Sequence, residues 1–513
     1  MEIALFYYAF LCIIIVALAF KFKFYSSHKV SQKRSPPSPS LSLPFIGHLL
    51  LLIGKDPIHR VFRRISHELG PLFSLQLGNR FAVIVSSWSI AEECFTKNDI
   101  VLTNRPKFLF GKYIFYNYST LGFTPYGEYW RNLRRIMVHD IFSTSRLNSF
   151  LHIRQDEVKH LLQGLCGLSS PEFVKVEMRS RLIDMSFNII MRMIAGKRYF
   201  GVGEFSVDEE AVEFRQIVKE VFEYMTLSNA ADFLPFMRLL DCQNIQKKMM
   251  ILQKKMDCFV QRLITQQRLK KQGNSMINHL LSLQEAQPGY YTDEIIKGNI
   301  WEIIIAGTET SSVTIEWAMA LLLNNLEKLE KAKVEIDSCI EPSRLVDESD
   351  ISKLPYLQAI ISETLRLFPP APLLAPHMPS EDCQIAGFDV PRGTILIVNA
   401  WAIHRDPSIW DDPNAFKPER FMSVETKGEA YKMLPFGMGR RACPGSVLGQ
   451  RVVGLTLASL IQSFEWKRVD GKEVDLMEGK GIAMPKVEPL EVMCKARNIL
   501  LNALDMSRPA HKM

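Results

Sequence analysis

The run Pro435-Phe436-Gly437-Met438-Gly439-Arg440-Arg441-Ala442-Cys443-Pro444-Gly445 constrains this chain more than any other stretch. It crowds glycines, arginines and prolines around one cysteine. Glycine permits backbone geometry that is closed to other residues, so the loop can run tightly beneath a flat ligand. The arginines place positive charge beside a thiolate and beside any anionic group that the ligand carries. Val447, Leu448, Val452, Val453, Leu455 and Leu457 follow in a helical pattern. A helix starting just past Cys443 would aim its positive end at the sulfur and favour the thiolate. A lone cysteine is ordinarily a small buried apolar side chain, but the frame around this one argues for a ligand.

The chain has 513 residues, 47% of them apolar, which is material for a large core. No long Gly/Ser or Pro linker divides its middle, so one large domain is expected. The net charge of +7 comes without a Lys/Arg tract interleaved with aromatics, and no nucleic-acid partner is expected. Nine scattered cysteines include no Cys-x-x-Cys pair, and the 11 histidines form no cluster with metal spacing. A disulfide framework and a zinc site are therefore set aside.

Ile3 to Phe20 is uncharged and rich in Leu, Ile, Phe, Val and Ala. As a helix it would span about 27 Å, close to a bilayer core of about 30 Å. Lys21, Lys23, Lys29, Lys33 and Arg34 follow, with Glu2 the only charge before. Basic residues after the apolar run point to an anchor whose flank stays cytosolic, rather than to a cleavable signal. Pro36, Pro37 and Pro39, then Pro44, predict a stiff hinge. Phe233-Leu234-Pro235-Phe236-Met237-Arg238-Leu239-Leu240 is a candidate second membrane contact or a plain core segment.

Phe73 to Val85 predicts paired strands with a turn at Gly78-Asn79-Arg80. Residues 128–325 read mainly as helices, broken at Pro171, Pro235 and near Pro288. Strands return over Gly387–Val398, and Asp406–Phe421 reads as irregular. Within a long helix over Ile295–Leu323 lies Ala306-Gly307-Thr308-Glu309-Thr310-Ser311-Ser312. Gly307 lowers helix propensity, and Thr310 can bond back to the carbonyl of Ala306, so together they could open a groove. Glu363 and Arg366 share a helix face. Trp130 and Arg134 lie one turn apart.

The cysteine run is identical, at every fixed position, to the Phe-x-x-Gly-x-Arg-x-Cys-x-Gly signature of cytochromes P450. Three further signatures follow in order, so the resemblance covers roughly residues 36–494. The cysteine run and Leu374-Ala375-Pro376-His377-Met378-Pro379-Ser380-Glu381-Asp382-Cys383 also resemble the plant microsomal family numbered 81. The resemblance implies a mainly α fold with small β sheets behind one transmembrane helix. It implies an anchor over 1–20, a hinge over 21–47 and a haem catalytic domain over 48–513. Haem b would take Cys443 as axial ligand, which favours O–O cleavage. O2 would be co-substrate, with electrons from NADPH through a separate reductase. Thr310 would hydrogen-bond the activated oxygen and Glu309 would relay protons. Trp130, Arg134, Arg441 and His377 would hold the haem propionates. Arg420 would complete a structural triad with Glu363 and Arg366. Arg131, Arg135 and Arg440 would add charge to a face that docks the electron donor. The setting implied is the endoplasmic reticulum membrane, single-pass, with the catalytic domain in the cytosol.

By the same resemblance, substrate would meet Phe110, Ile114 and Phe115, Ile303 and Ala306, Leu373, Leu374 and Ala375, and Ala483 and Met484. This set offers no fixed counter-charge, so a hydrophobic, ring-containing plant metabolite is expected, phenolic (an isoflavonoid or lignan) or diterpenoid. Hydroxylation is the first expectation. Oxidative ring closure, such as methylenedioxy bridge formation, is the alternative. An O2-independent haem isomerase or dehydratase would alter the oxygen helix and the cysteine loop. A non-catalytic haem or membrane interaction protein would have no use for Glu309-Thr310.

Overall fold

β-Branched and aromatic residues gather between Leu72 and Val85, and there the chain forms the expected hairpin. The computed structural model describes residues 34–169, 172–201, 209–226, 230–235, 237, 244–270, 273–422, 432–481 and 483–505, with 8, 13, 14 and 16 nearer the start. The expected anchor and the stretch 21–33 lie almost wholly outside the described residues. Among those described, no helix is long and apolar enough to cross a membrane.

The helices that build the site are α1 (Ile58–Leu69), α2 (Leu109–Tyr113), α3 (Glu128–Arg135), α4 (Arg179–Ala195), α5 (Glu209–Thr226), α6 (Ile245–Lys270), α7 (Asp293–Asn324), α8 (Pro355–Leu367), α9 (Ser446–Ser463) and α10 (Asn498–Asp505). The strands are β1 (Leu72–Leu77), β2 (Arg80–Val85), β3 (Val174–Glu177), β4 (Cys383–Ile385), β5 (Phe388–Val390), β6 (Ile395–Val398), β7 (Phe464–Lys467) and β8 (Glu491–Ala496). They form three small sheets, ordered β1-β2-β6, β3-β8-β7 and β4-β5. β1 and β2 pair antiparallel from Leu72↔Val85 to Leu77↔Arg80, and β6 joins β2 in parallel.

α7 is the axis of the molecule. Thr292 caps it by accepting from the Ile295 amide, and Asp293 and Glu294 in its first turn complement the helix dipole. From Ser311 to Leu323 every residue is buried, the mark of a helix surrounded on all sides. Ile304 and Trp317 of α7 share one core with Met193 of α4 and with Leu457 and Leu460 of α9. α7 continues as α-helix through Gly307. A Cβ there would lie 2.7 Å from Ile190 Cδ1 of α4. The expected groove at Gly307 is therefore not what its missing side chain provides: Ile190 fills that space.

Two features departed from the sequence reading. β3 was not anticipated, because its partner β8 lies at the far end of the chain. The segment after Lys486, where no element was expected, supplies β8 as the central strand of a sheet, followed by α10. The described part of the proline-rich stretch is strapped to β1: Ser74 donates its amide to Pro37 O at 2.8 Å and its hydroxyl to Pro36 O at 3.0 Å. Of the candidate second membrane contact, Phe236 and residues 238–240 lie outside the described residues. Phe233 faces protein, with its carbonyl accepting from the Asn79 amide at 2.9 Å and its ring 6.2 Å from that of Phe108.

Candidate active site

The cysteine loop uses its glycines as expected. Gly437 and Gly439 have φ of 70° and 71°, the left-handed region that glycine enters freely. A Cβ on Gly439 would lie 2.5 Å from Asp99 Oδ1. Asp99 also accepts from the Arg440 amide at 3.2 Å and pairs with its guanidinium at 3.3 Å. The Cys443 amide donates to Phe436 O at 2.8 Å, closing the loop. α9 then starts at Ser446 with Gly445 as its N-cap. Burial raises the Cys443 pKa, while the Gly445 amide and Arg134 oppose the rise. The side chain is walled in by protein, yet solvent reaches it. Cys443 therefore faces an internal cleft.

Cations collect beside that loop. Arg134 of α3 donates to Ala442 O at 2.6 Å. Arg441 donates to Thr103 O at 2.8 Å, to Leu121 O at 2.6 Å and to Thr124 O at 2.5 Å, and its guanidinium lies 4.9 Å from the centre of the Trp130 ring. Arg105, which sequence reasoning missed, donates to Ala375 O at 2.7 Å and to Pro376 O at 2.8 Å. Burial brings the Arg105 pKa down to about 10. Burial, then the neighbouring Arg105, brings Arg441 down to about 9. His377 Nδ1 lies 2.8 Å from Leu102 O, and burial and Arg105 hold its pKa well below the usual histidine range. The indole Nε1 of Trp130 is buried and has no hydrogen-bond partner among the described residues.

Three guanidiniums whose donors go largely to neutral carbonyls, beside an idle buried N–H, make a site short of negative charge. The carboxylates of a haem would supply it, and Cys443 as a thiolate would hold the iron. The residues present fit that group.

Across the cleft stands α7. Thr310 donates to Ala306 O at 2.8 Å, as expected. Thr308 and Thr314 bond back in the same way, to Ile304 O and Thr310 O, so the bond alone does not distinguish Thr310. Position does. Thr310 lines a narrow cleft with Leu365, Pro370, Gly449 and Phe436 of the cysteine loop. Its neighbour Glu309 opens onto a cavity of about 770 Å³, shared with Thr308, Asp184, Phe214, Arg215 and Lys480. Burial pushes the Glu309 pKa up to about 7, against the pull of Arg179. Its Oε2 has no hydrogen-bond partner among the described residues.

The buried triad is present. Glu363 and Arg366 on α8 are fully buried and bonded twice, at 2.7 and 2.8 Å. Glu363 Oε1 also accepts from the Lys417 amide at 2.8 Å and from Arg420 Nε at 3.2 Å. Arg366 donates its other hydrogens to His404 O, Pro413 O and Ala415 O. A buried ion pair is tolerable only when satisfied this completely.

The ten candidate substrate residues differ in exposure. Ala306 and Ala375 are exposed, and Phe110, Leu373 and Leu374 are half-buried. Ile114, Phe115, Ile303, Ala483 and Met484 are buried. Met484 gives its carbonyl to the Trp317 indole at 3.0 Å. A second missed residue, Glu302, holds the Gly122 amide at 2.6 Å. Its signal was an acid standing inside the apolar run Trp301–Ile305.

The family model for Cytochrome P450 matches residues 36–491. The chain is 55% identical to Cytochrome P450 81Q32 of Catharanthus roseus, over 98% of each chain. It is 52% identical to an isoflavone 3'-hydroxylase of Medicago truncatula, over 96% of this chain and 98% of that one. It is 49% identical to the (+)-piperitol/(+)-sesamin synthase CYP81Q2 of Sesamum radiatum, over 98% and 99%. A zebra fish cytochrome P450 with progesterone superposes with a TM-score of 0.76 at 25% identity, covering 86% of this chain and 100% of the other. The chain therefore belongs to the cytochrome P450 family, within its family 81, and is a monooxygenase.

Proposed function

We propose that this monooxygenase hydroxylates a phenolic plant metabolite of the isoflavonoid or lignan type. The observation that carries the reading is the cleft between Thr310 and Phe436 of the loop that holds Cys443. Two relatives, whose names state an isoflavone hydroxylase and a sesamin synthase, support the substrate class. Ring closure on a phenolic substrate is the second reading, favoured by the sesame relative.

Haem b, when bound, supplies O2 activation; the chain's own residues prepare for it. Cys443 Sγ would hold its iron, steadied by the Gly445 amide. Trp130 Nε1, Arg134, Arg441, Arg105 and His377 surround the place for its carboxylates. Glu309 has a pKa of about 7, so it can take a proton from cavity water and give it up near neutral pH. Thr310 Oγ1 is the next hydroxyl along α7 and opens on the other side, toward the cleft. The pair thus joins that cavity to the cleft beside the cysteine loop.

Electrons come from a separate reductase, and we place NADPH as their source. The uncharged Ile3–Phe20 and the basic residues after it support single-pass anchoring in the endoplasmic reticulum membrane, lipid contact, and a cytosolic catalytic domain over 48–513. The lack of a basic aromatic tract supports no role for nucleic acid. Incubation with reductase, NADPH and an isoflavone, read by product mass, tests the proposal. A gain of one oxygen supports hydroxylation, and loss of two hydrogens supports ring closure. Product formed without O2 would overturn both.

A further inference from the structure

The cavity of about 770 Å³ onto which Glu309 opens lies among α4, α5, α7 and the residues Lys480, Gly481 and Pro485. It shares no lining residue with the Thr310 cleft, and none of the ten candidate substrate residues lines it. Its volume falls in the ~300–1,000 Å³ range of small-molecule pockets, far beyond what a file of water needs. Its walls are aromatic. Phe187 and Phe214 stack with ring centres 4.2 Å apart, and the ring of Phe200 lies 5.5 Å from that of Phe187. Phe222, Ile183 and Val218 extend the apolar surface. Such walls offer water no hydrogen bonds.

The polar groups say what the cavity can receive. Thr308 spends its hydroxyl on Ile304 O at 2.7 Å. The Glu309 carboxyl is not spent: Oε2 has no hydrogen-bond partner among the described residues, and Arg179 acts on the group through charge alone. An acceptor left idle costs free energy that a ligand's donor would recover. Charge gathers at the rim, where Arg215, Lys219, Lys480 and Glu223 are exposed. Arg215 pairs with Asp184. The three cations disfavour an ammonium ligand, while Asp184, Glu223 and Glu309 disfavour a carboxylate, because like charges repel at short range. A neutral ring compound with a hydrogen-bond donor meets neither objection.

We propose that this cavity is a second small-molecule site, which takes a neutral phenol with its ring against Phe187, Phe214 and Phe222 and its hydroxyl donating to the Glu309 carboxyl. Aromatic walls suit a flat ring, and the one polar group fixes its orientation. The occupant displaces the water from which Glu309 would draw protons. It therefore interferes with the proton route and leaves the substrate's place beside the cysteine loop free. The binding site itself does not depend on which substrate the enzyme oxidises; its effect on turnover rests on the monooxygenase reading.

The test is equilibrium dialysis of 2-naphthol against the full-length haem protein. One equivalent of clotrimazole, an imidazole without an O–H or N–H donor, first occupies the iron side. Wild type should still bind one 2-naphthol, and should bind 2-methoxynaphthalene roughly tenfold more weakly, the size of one hydrogen bond to a polar or charged acceptor. Glu309→Leu should abolish that preference, and Val218→Trp, which fills the cavity, should abolish binding. With isoflavone as substrate, 2-naphthol should lower product per NADPH without raising KM. Displacement of 2-naphthol by clotrimazole, equal binding of the two probes, or no binding overturns the proposal. So does Val218→Trp binding like wild type, or inhibition that acts on KM alone. The shift of the haem band by clotrimazole shows that each variant is folded. A wild type without that shift loses the haem assignment, and one that makes no product from isoflavone loses the substrate reading, while dialysis still reads the second site.

Discussion

Arg134 on α3 donates to the carbonyl oxygen of Ala442 at 2.6 Å, tying the helix that carries Trp130 to the residue just before Cys443. The two segments are 308 residues apart in sequence, yet this bond fixes the distance between the haem-carboxylate donors and the axial ligand. Arg134→Ala should keep the fold and lose cofactor. A hydrogen bond to a charged donor contributes about 1.5–3 kcal/mol, which is roughly ten- to hundred-fold in retention. Haem content per protein after gel filtration measures it, and unchanged content would show that Arg134 does not steady the site.

The triad makes a sharper claim about stability. Glu363→Ala leaves Arg366 buried without its carboxylate, and breaking such a pair costs about 3–5 kcal/mol. Arg420→Ala removes the 3.2 Å bond to Glu363 and the 3.0 Å bond to Asp411 O from a partly exposed side chain and should cost about 1–2 kcal/mol. Thermal unfolding midpoints should fall in that order. Equal losses would mean that the proximal side does not depend on the Glu363–Arg366 pair.

Thr310→Ala should preserve the haem spectrum and most substrate affinity while uncoupling the enzyme. NADPH would be consumed and hydrogen peroxide would replace product. Loss of an interaction made only in the transition state lowers turnover more than binding, here by roughly ten- to hundred-fold. Product yield per NADPH reads this directly. An unchanged yield would shift the proton route to Glu309 or to water alone.

Acid should destabilise the protein in two steps. His404 accepts from the Leu434 amide at 2.7 Å through Nε2, and burial, with Arg366 and Arg405, brings its pKa to about 3. The unfolded chain takes up that proton near pH 6.5, at about the free histidine value. Stability therefore falls as pH drops from about 6.5 toward 3. Burial alone would raise the Glu478 pKa, but His59, Arg60 and Arg405 more than offset it and bring it to about 2. That contribution is intact above the unfolded value of about 4.3 and disappears as pH falls toward 2. His404→Gln should flatten the upper part of the profile and leave the lower part. A profile unchanged by that substitution would contradict the assignment.

Short motifs made much of this site legible. Cys443, Thr310 and the Glu363–Arg366 spacing each lie within one loop or one helix, where local sequence dictates geometry. What Arg105 and Glu302 hold was not legible, because their partners are remote: 270 residues separate Arg105 from Ala375, and 180 separate Gly122 from Glu302. β3 escaped for the same reason, since a four-residue strand carries little pattern and takes its identity from β8. Gly307 was read for its effect on its own helix, whereas its neighbour in space, Ile190, decides what it does.

The reduced carbon-monoxide difference spectrum of wild type and Cys443→Ser tests the central claim most directly. Wild type should show the long-wavelength band of a thiolate-bound haem, and Cys443→Ser should lose it. A wild-type protein that binds no haem, or a variant that keeps the band, would contradict the account.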